Sequence, residues 1–367
     1  MRIHALYRRA AQSAAFVAGW ATLSAPGARR PDGDGLRVTG REKGLRFFDA
    51  RTPFFGLPRF SRLPADAVSP YGRVISLHNS FPAGRALSFI TDAPFLEVRA
   101  LFSLKTNIPY MSIAAVSGLD VYTRTGGAWA WKRNLSTRYE TQMSFRERVE
   151  LGGGDREVLI FLPPYARISR LLLGFPESAS VRPRNWDRKP IAFYGSSITQ
   201  GCAASRPGLS FPNVIARRLD CPIVNVGFSE SARAQEGVVS YFSGLSAAAF
   251  VVEYDHNATV EELRNTHRGV YDAIRRKNPD APIVFLSRLS GGMSVGLEEE
   301  RARVDIIRAT VCAARKARFL CGRDILDGFS GAQGDLFVDD RHPNDAGMAL
   351  IAERVLETLA EMGVFNS

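Results

Sequence analysis

Cysteine is scarce. Four in 367 residues (Cys202, Cys221, Cys312 and Cys321) cannot build a disulfide framework, and all four read as free thiols. None sits in a CxxC or Cys/His spacing that holds zinc, so no metal and no cofactor is expected. No apolar run is long enough to cross a bilayer, which excludes a membrane-spanning helix. Internal repeats and low-complexity linkers are also missing, and no nucleic-acid motif accompanies the basic residues.

Acidic residues are outnumbered, giving a formal net charge of +11. Residues 1–190 hold 29 Lys+Arg against 15 Asp+Glu, whereas residues 191–367 hold 19 against 22. The excess is confined to the first half and scattered there, so it reads as solvated surface charge and no nucleic-acid partner is expected. Hydrophobic residues at 45% supply full cores. A chain of this length favours two domains.

Residues 1–44 read as an extension. Arg2, Arg8 and Arg9 precede an Ala-rich run and then Ser24-Ala25-Pro26-Gly27-Ala28, a weak secretory pattern that Gln12, Ser13, Gly19 and Thr22 dilute. A disordered extension is the competing reading, and a cytoplasmic location is favoured over export.

From 45 to 181 the pattern has period two. Leu96, Val98, Ala100, Phe102 and Leu104 fall on one face, with Glu97, Arg99, Ser103 and Lys105 opposite. Val121 to Trp131 reads as a hairpin turning at Gly126-Gly127. Runs at 158–162 and 171–173 are further strands, closed by Pro163 and Pro176. Many short strands without helical periodicity imply an all-β sandwich of jelly-roll type. Asp120 and Tyr122 are expected to hold its hairpin. Residues 182–190 read as a linker.

After Pro190 apolar strands at 191–194, 223–226, 249–252 and 283–286 alternate with helices at 260–277, about 297–317, and from Asp345 to the C-terminus. That rhythm implies an α/β domain over 191–367, a parallel sheet with helices on both faces. Ligands in such sheets sit beyond the carboxyl ends of the strands. Four stretches meet that condition: Gly195-Ser196-Ser197, Asn225-Val226-Gly227, Glu253-Tyr254-Asp255-His256-Asn257, and Asp339-Asp340-Arg341-His342 before the last helix.

The residue types suggest acyl transfer. Ser197 on a tight turn is a candidate nucleophile. His342 is a candidate base, with Asp339 three residues earlier to orient it and Asp340 as the alternative. The Ser197 and Gly227 amides and the Asn257 side chain are candidate oxyanion donors. Glu230 and Arg206 are candidate substrate contacts. His256 reads as a structural loop residue, and His267 as a hydrogen-bonded core histidine.

Gly195-Ser196-Ser197-Ile198-Thr199-Gln200-Gly201, Gly227, Asn257 and Asp339-x-x-His342 together resemble the ordered blocks of the SGNH (GDSL-type) hydrolases. Gly118-Leu119-Asp120-Val121-Tyr122 is similar to the GxDLY signature that precedes one bacterial branch of them. The resemblance implies a three-layer α/β/α, flavodoxin-like hydrolase domain behind the β-sandwich. It also implies a Ser-His-Asp serine esterase, acting on a short-chain ester, an acetyl ester being expected, of a carbohydrate or small molecule. Two departures stand out: Ser196 replaces the usual Asp, and Ser229-Glu230-Ser231 replaces Ser-Gly-Asn. An acyltransferase, lysophospholipase or thioesterase with the same triad is the alternative, as is a catalytically silent glycan-binding protein. The oligomeric state is left open.

Overall fold

The period-two stretches fold as strands, and the structure, a computed structural model, describes residues 36–289, 296–327 and 329–365. The N-terminal strands are β1 (Val38–Glu42), β2 (Leu45–Asp49), β3 (Ala86–Thr91), β4 (Phe95–Lys105) and β5 (Leu119–Arg124). They continue as β6 (Ala130–Leu135), β7 (Ser144–Glu150), β8 (Arg156–Phe161), β9 (Ala166–Pro176) and β10 (Val181–Pro183). Two antiparallel five-stranded sheets result, ordered β1-β2-β9-β4-β7 and β10-β3-β8-β5-β6. Leu87, Phe89, Val98, Ala100, Val121, Ile160 and Leu173 from the two sheets share one core. Two short helices, α1 (Arg73–Asn79) and α2 (Ile113–Ser117), also lie in this half of the sequence.

The GxDLY stretch is structural. A side chain at Gly118 would strike Ala114 O at 2.2 Å and the Asn134 amide at 2.5 Å. Asp120 Oδ1 accepts from Asn134 Nδ2 at 3.0 Å across the β5–β6 pair. The Tyr122 ring packs edge-on against Phe161.

Beyond residue 186 the strands are β11 (Ile191–Gly195), β12 (Ile223–Gly227), β13 (Ala249–Glu253), β14 (Ile283–Leu286) and β15 (Ala317–Leu320). All pair in parallel, in the order β12-β11-β13-β14-β15. This is the flavodoxin-like order, whose switch point lies between the first and third strands. The helices are α3 (Ser197–Gln200), α4 (Phe211–Leu219), α5 (Glu236–Ser243), α6 (Val260–Lys277), α7 (Leu297–Cys312), α8 (Gly322–Asp327) and α9 (Asp345–Glu361). Alternation sorts the strand residues between two faces. Tyr194, Val252 and Phe285 pack with α5, α6 and α7, while Phe193, Val251 and Val284 pack with α4 and α9. His267 on α6 is buried against Thr310 Oγ1 at 2.9 Å.

Several expectations need correction. Residues 38–42 of the expected extension form β1, paired with β2; residues 1–35, with the signal-like run, lie outside the described residues. The expected linker begins with β10, which pairs with β3. The inward face of β4 does not reach Leu104: irregular register on either side of Phe102 leaves Leu104 half-buried and buries Lys105 instead. The helix expected over 297–317 stops at Cys312, and Ala317–Leu320 is a fifth parallel strand too short and polar for its pattern to announce.

The largest difference is topological. The chain divides into one unit holding the described residues up to Phe60 with Arg85–Asn185, and a second holding Ser61–Gly84 with Trp186 onward. Residues 61–84, read from sequence as sandwich, therefore belong with the parallel sheet. Leu63, Val68 and Ile75 join its core. Gly84 is left-handed at φ +71°, and a side chain there would meet Asn225 Cβ at 2.3 Å.

Arg62 fixes this segment in place. The buried guanidinium donates to His78 O at 2.8 Å and to the main-chain carbonyls of Asn225 and Gly227, and lies 4.5 Å from the centre of the Phe228 ring. Arg62→Ala orphans these carbonyls and is expected to lower the unfolding free energy by about 3 kcal/mol. Chemical denaturation checks this, with exposed Arg59→Ala expected to stay within about 0.5 kcal/mol of wild type. Equal losses in both variants would refute the role given to Arg62.

Candidate active site

Ser197 opens α3 immediately after β11, and the turn is built by its neighbours. Gly195 lacks a side chain where one would meet Thr199 Oγ1 at 2.2 Å and Glu253 O at 2.3 Å. Ser196 caps α3, its Oγ accepting from Ile198 N–H at 3.2 Å. Ser197 Oγ lies 2.9 Å from His342 Nε2. His342 Nδ1 lies 2.8 Å from Asp339 Oδ2, while Asp339 Oδ1 accepts from the amides of His342 at 2.6 Å and Arg341 at 2.9 Å. Partial burial alone would raise the Asp339 pKa, but the hydrogen bonds and charge of His342 outweigh it, so the carboxyl sits below its ordinary value. Asp340 points elsewhere: its side chain is more than half exposed, and Arg341 is 3.9 Å away.

The loop carrying His342 is held at both ends. Asn344 caps α9, accepting from the Ala346 and Gly347 amides, and its Nδ2 donates to Asp335 O at 2.7 Å. Ala203 N–H donates to Pro343 O at 3.0 Å, tying this loop to the one after Ser197. A serine hydroxyl, an imidazole with one nitrogen on it, and an ionised carboxylate on the other nitrogen make an arrangement able to move a proton from Ser197 Oγ to His342.

The expected oxyanion donors fare differently. Asn257 Oδ1 accepts from Ala232 N–H at 3.3 Å, leaving the Nδ2 amide to donate, and that amide has no acceptor among the described residues. Gly227 is a correction: its N–H is already donated to Asn225 Oδ1 at 2.9 Å. Glycine is needed there because a side chain would strike the Gln200 amide at 2.4 Å. Along the following turn, Phe228 N–H donates to Gly195 O, Ser229 N–H to Gln200 Oε1, and Ser231 N–H to Phe228 O. Glu230 N–H has no acceptor among the described residues. Glu230 is exposed and left-handed at φ 58°, a conformation that favours glycine. Arg206 lies in a loop that Ser205 ties to Asp345 through its N–H at 2.7 Å and its Oγ at 2.6 Å.

Three supporting groups were not found from sequence. Gln200 accepts from Ser229 N–H and approaches His78 Nδ1 at 3.1 Å. Burial, and secondarily the Arg62 charge, push the His78 pKa down to about 3, so the ring is neutral and accepts this bond. Glu253, at the end of β13, lies behind Ser196. Its two oxygens each stand 2.9 Å from Ser196 Oγ, and Oε2 accepts from Thr199 Oγ1 at 2.8 Å and Ser196 N–H at 3.2 Å. A carboxyl thus reaches Ser196 from the neighbouring strand; a lone acid ending the apolar run Ala249–Glu253 was the only sequence signal.

Burial, followed by the charge of Asp255, raises the Glu253 pKa to about 8. Between pH ~4.5 and ~8 the unfolded chain has released this proton while the fold retains it, so the group's contribution to stability is full at low pH and falls as pH rises. Glu253→Gln resembles the protonated form and is expected to remove that decline. Urea denaturation at pH 5, 7 and 9 checks this; parallel wild-type and variant profiles would refute it.

Comparison with known proteins places both halves of the chain. Residues 188–360 match the GDSL-like lipase/acylhydrolase family, and residues 55–181 match the GxDLY family, the N-terminus of SGNH-hydrolase-type esterases. No curated protein matches the chain. A solved structure described as a GDSL-like lipase from Bacteroides ovatus is 22% identical, with a TM-score of 0.76 over 87% of this chain and 98% of that one. A salicylyl-acyltransferase from a tetracycline biosynthetic pathway is 18% identical, with a TM-score of 0.68 over 89% and 93%. A family two carbohydrate esterase from Clostridium thermocellum, solved with cellohexaose, is 16% identical, with a TM-score of 0.56 over 77% and 94%. At these identities the three share the fold. The chain belongs to the GDSL-like lipase/acylhydrolase family of SGNH hydrolases, enzymes acting on ester bonds, and carries the GxDLY N-terminus found in such esterases.

Proposed function

We propose that the protein is a serine esterase that removes a short acyl group, acetyl by preference, from a carbohydrate or similar alcohol. The observation that carries this reading is the hydrogen-bonded run Ser197 Oγ–His342–Asp339, with links of 2.9 and 2.8 Å. In this reading His342 Nε2 takes the hydroxyl proton as Ser197 Oγ bonds to the ester carbonyl carbon. Asp339 stabilises the imidazolium that forms. The oxyanion is met by Ser197 N–H and Asn257 Nδ2, with Glu230 N–H in the part expected of Gly227. Collapse of the tetrahedral adduct breaks the carbon–oxygen bond to the alcohol, which leaves with the proton from His342. Water, deprotonated by His342, then attacks the acyl-serine; the acid departs and Ser197 regains its proton.

The carbohydrate part of the reading is supported by the family resemblance and by the sugar ligand of one carbohydrate esterase with this fold. Acyl transfer to an alcohol uses the same acyl-serine, and one protein of this fold is a named acyltransferase. Glu230 remains a candidate specificity residue through its exposed side chain. Arg206 remains one through its loop.

Ser197→Ala is expected to lower turnover of an aryl acetate by at least ~10³-fold and to abolish fluorophosphonate labelling. Asn257→Ala is expected to cost ~10²–10³-fold, mainly in kcat. Glu230→Gly keeps the amide and the left-handed turn, so turnover of the aryl acetate should persist and thermal stability should rise. Undiminished turnover in Ser197→Ala would overturn the assignment.

A further inference from the structure

Beside Asn257 lies a cavity of about 210 Å³ lined also by His256, Arg288, Glu299, Arg303 and Arg341. Arg341 precedes His342, so the cavity begins next to the proposed reacting centre. Three guanidinium groups on so small a wall need an explanation, and the explanation differs for each.

Arg303 is fully engaged. Its Nε and Nη2 donate to Glu299 Oε1 at 3.0 and 2.6 Å, and its Nη1 to Asp255 O at 2.6 Å and Ala258 O at 2.7 Å. Arg288 is not. Its side chain is 5% exposed, and only Nη2 donates to a side-chain or main-chain acceptor, Asp255 O at 2.8 Å. Among the described residues Arg288 Nε is buried without an acceptor, with Asp255 Oδ2 at 3.9 Å. Arg341 is half exposed, with Asp340 at 3.9 Å. Among the described residues His256 Nε2 is likewise buried without a partner; its side chain is 3% exposed and Glu253 Oε1 is 3.9 Å away.

The acids only partly offset this. Glu299 is spent on Arg303. Asp255 Oδ2 accepts from the Arg288 main-chain N–H at 3.0 Å and stands 3.9 Å from its Nε, while Asp255 Oδ1 is buried without a partner among the described residues. Glu253 Oε1 is 3.9 Å from His256. Burial first, then the charges of Arg288, His342, Arg341 and Arg303, keep the His256 pKa well below its ordinary value, so the ring adds no charge of its own. What remains, among the described residues, is a pocket with unspent guanidinium donors and an imidazole nitrogen without a partner, which is chemistry that recognises a carboxylate.

We propose that this cavity is an anion subsite, receiving a carboxylate borne by the ester substrate close to the scissile carbonyl. The inference rests on the reading that Ser197 and Asn257 belong to the reacting centre. The carboxylate can lie on the acyl group, as in a half-ester of a dicarboxylic acid, or on the alcohol, as in an acetylated uronate.

The experiment compares two pairs of esters on wild type, Arg341→Gln and Arg288→Lys. The acyl arm pairs para-nitrophenyl acetate with the para-nitrophenyl half-ester of succinic acid. The alcohol arm pairs an acetylated methyl glucoside with the matching acetylated methyl glucuronoside, whose carboxylate is free. In one arm the wild-type kcat/KM should favour the anionic member, and the ratio of anionic to neutral should fall about tenfold in Arg341→Gln. Arg288→Lys keeps the charge but loses the planar fork, and should also lower the ratio. Added salt should lower the wild-type ratio. Neutral esters turned over with no anionic preference in either arm, and with ratios unchanged by both variants, would overturn this subsite while leaving the esterase reading intact. Absence of turnover on all four esters, together with no fluorophosphonate labelling of Ser197, would overturn both.

Discussion

The buried carboxyl of Glu253 is the constraint on which the site depends. Parallel strands end side by side, but nothing in a backbone ladder fixes the turn that leaves one strand relative to the strand beside it. Here Glu253, at the end of β13, gathers Ser196 Oγ, Ser196 N–H and Thr199 Oγ1 onto one group. Ser197 is thereby held between two fixed neighbours. Such a group must be buried to keep water from competing, and burial is what raises its pKa. Retention of the proton leaves it able to donate as well as accept, which suits a serine hydroxyl facing both oxygens.

On the other side of β11 the same problem is solved with different chemistry. The end of β12 must approach α3 closely, which Gly227 permits, and its polar atoms are then consumed by Asn225, Gln200 and Arg62. Arg62 and His78 come from a segment more than 100 residues upstream of these partners. The stretch 61–84 is thus part of the support for the turn that carries Ser197. Because almost every amide between Phe228 and Ser231 is engaged, the single unspent one, on Glu230, stands out.

The surroundings of Asn257 follow a related logic with the opposite sign. Arg303 uses its donors on main-chain carbonyls and Glu299, which locks the loop carrying Asn257 and Ala258. Arg288 and Arg341 keep donors in reserve. A rigid amide beside guanidinium groups with donors to spare is an arrangement that can align a carbonyl and an anion together.

Much of this was legible in the sequence. The alternation of strand and helix after Pro190 marks the parallel sheet, and the period-two runs before it mark the sandwich, because side-chain periodicity reflects which face is buried. Ser197, Asp339, His342 and Asn257 could be named because short motifs at strand ends converge in such a sheet. Strand β15 could not be read, since four residues with an arginine give no period. The register irregularity in β4 could not either, because one displaced residue leaves the composition unchanged. Which amide is free is likewise a matter of the fold. Gly227 looked like a donor because glycine permits close approach; that approach is made by α3, and Asn225 takes the N–H.

The fold class and the residues proposed as nucleophile, base and acid were readable before folding was considered, since each depends on local pattern or on residue chemistry. It took the folded chain to show that Arg62 and His78 brace the Ser197 turn, that the Glu253 carboxyl gathers Ser196 and Thr199, and that Arg288 and Arg341 have donors to spare among the described residues. These depend on how many acceptors lie within hydrogen-bond reach of a buried group, and that number is set by chain segments far apart in sequence.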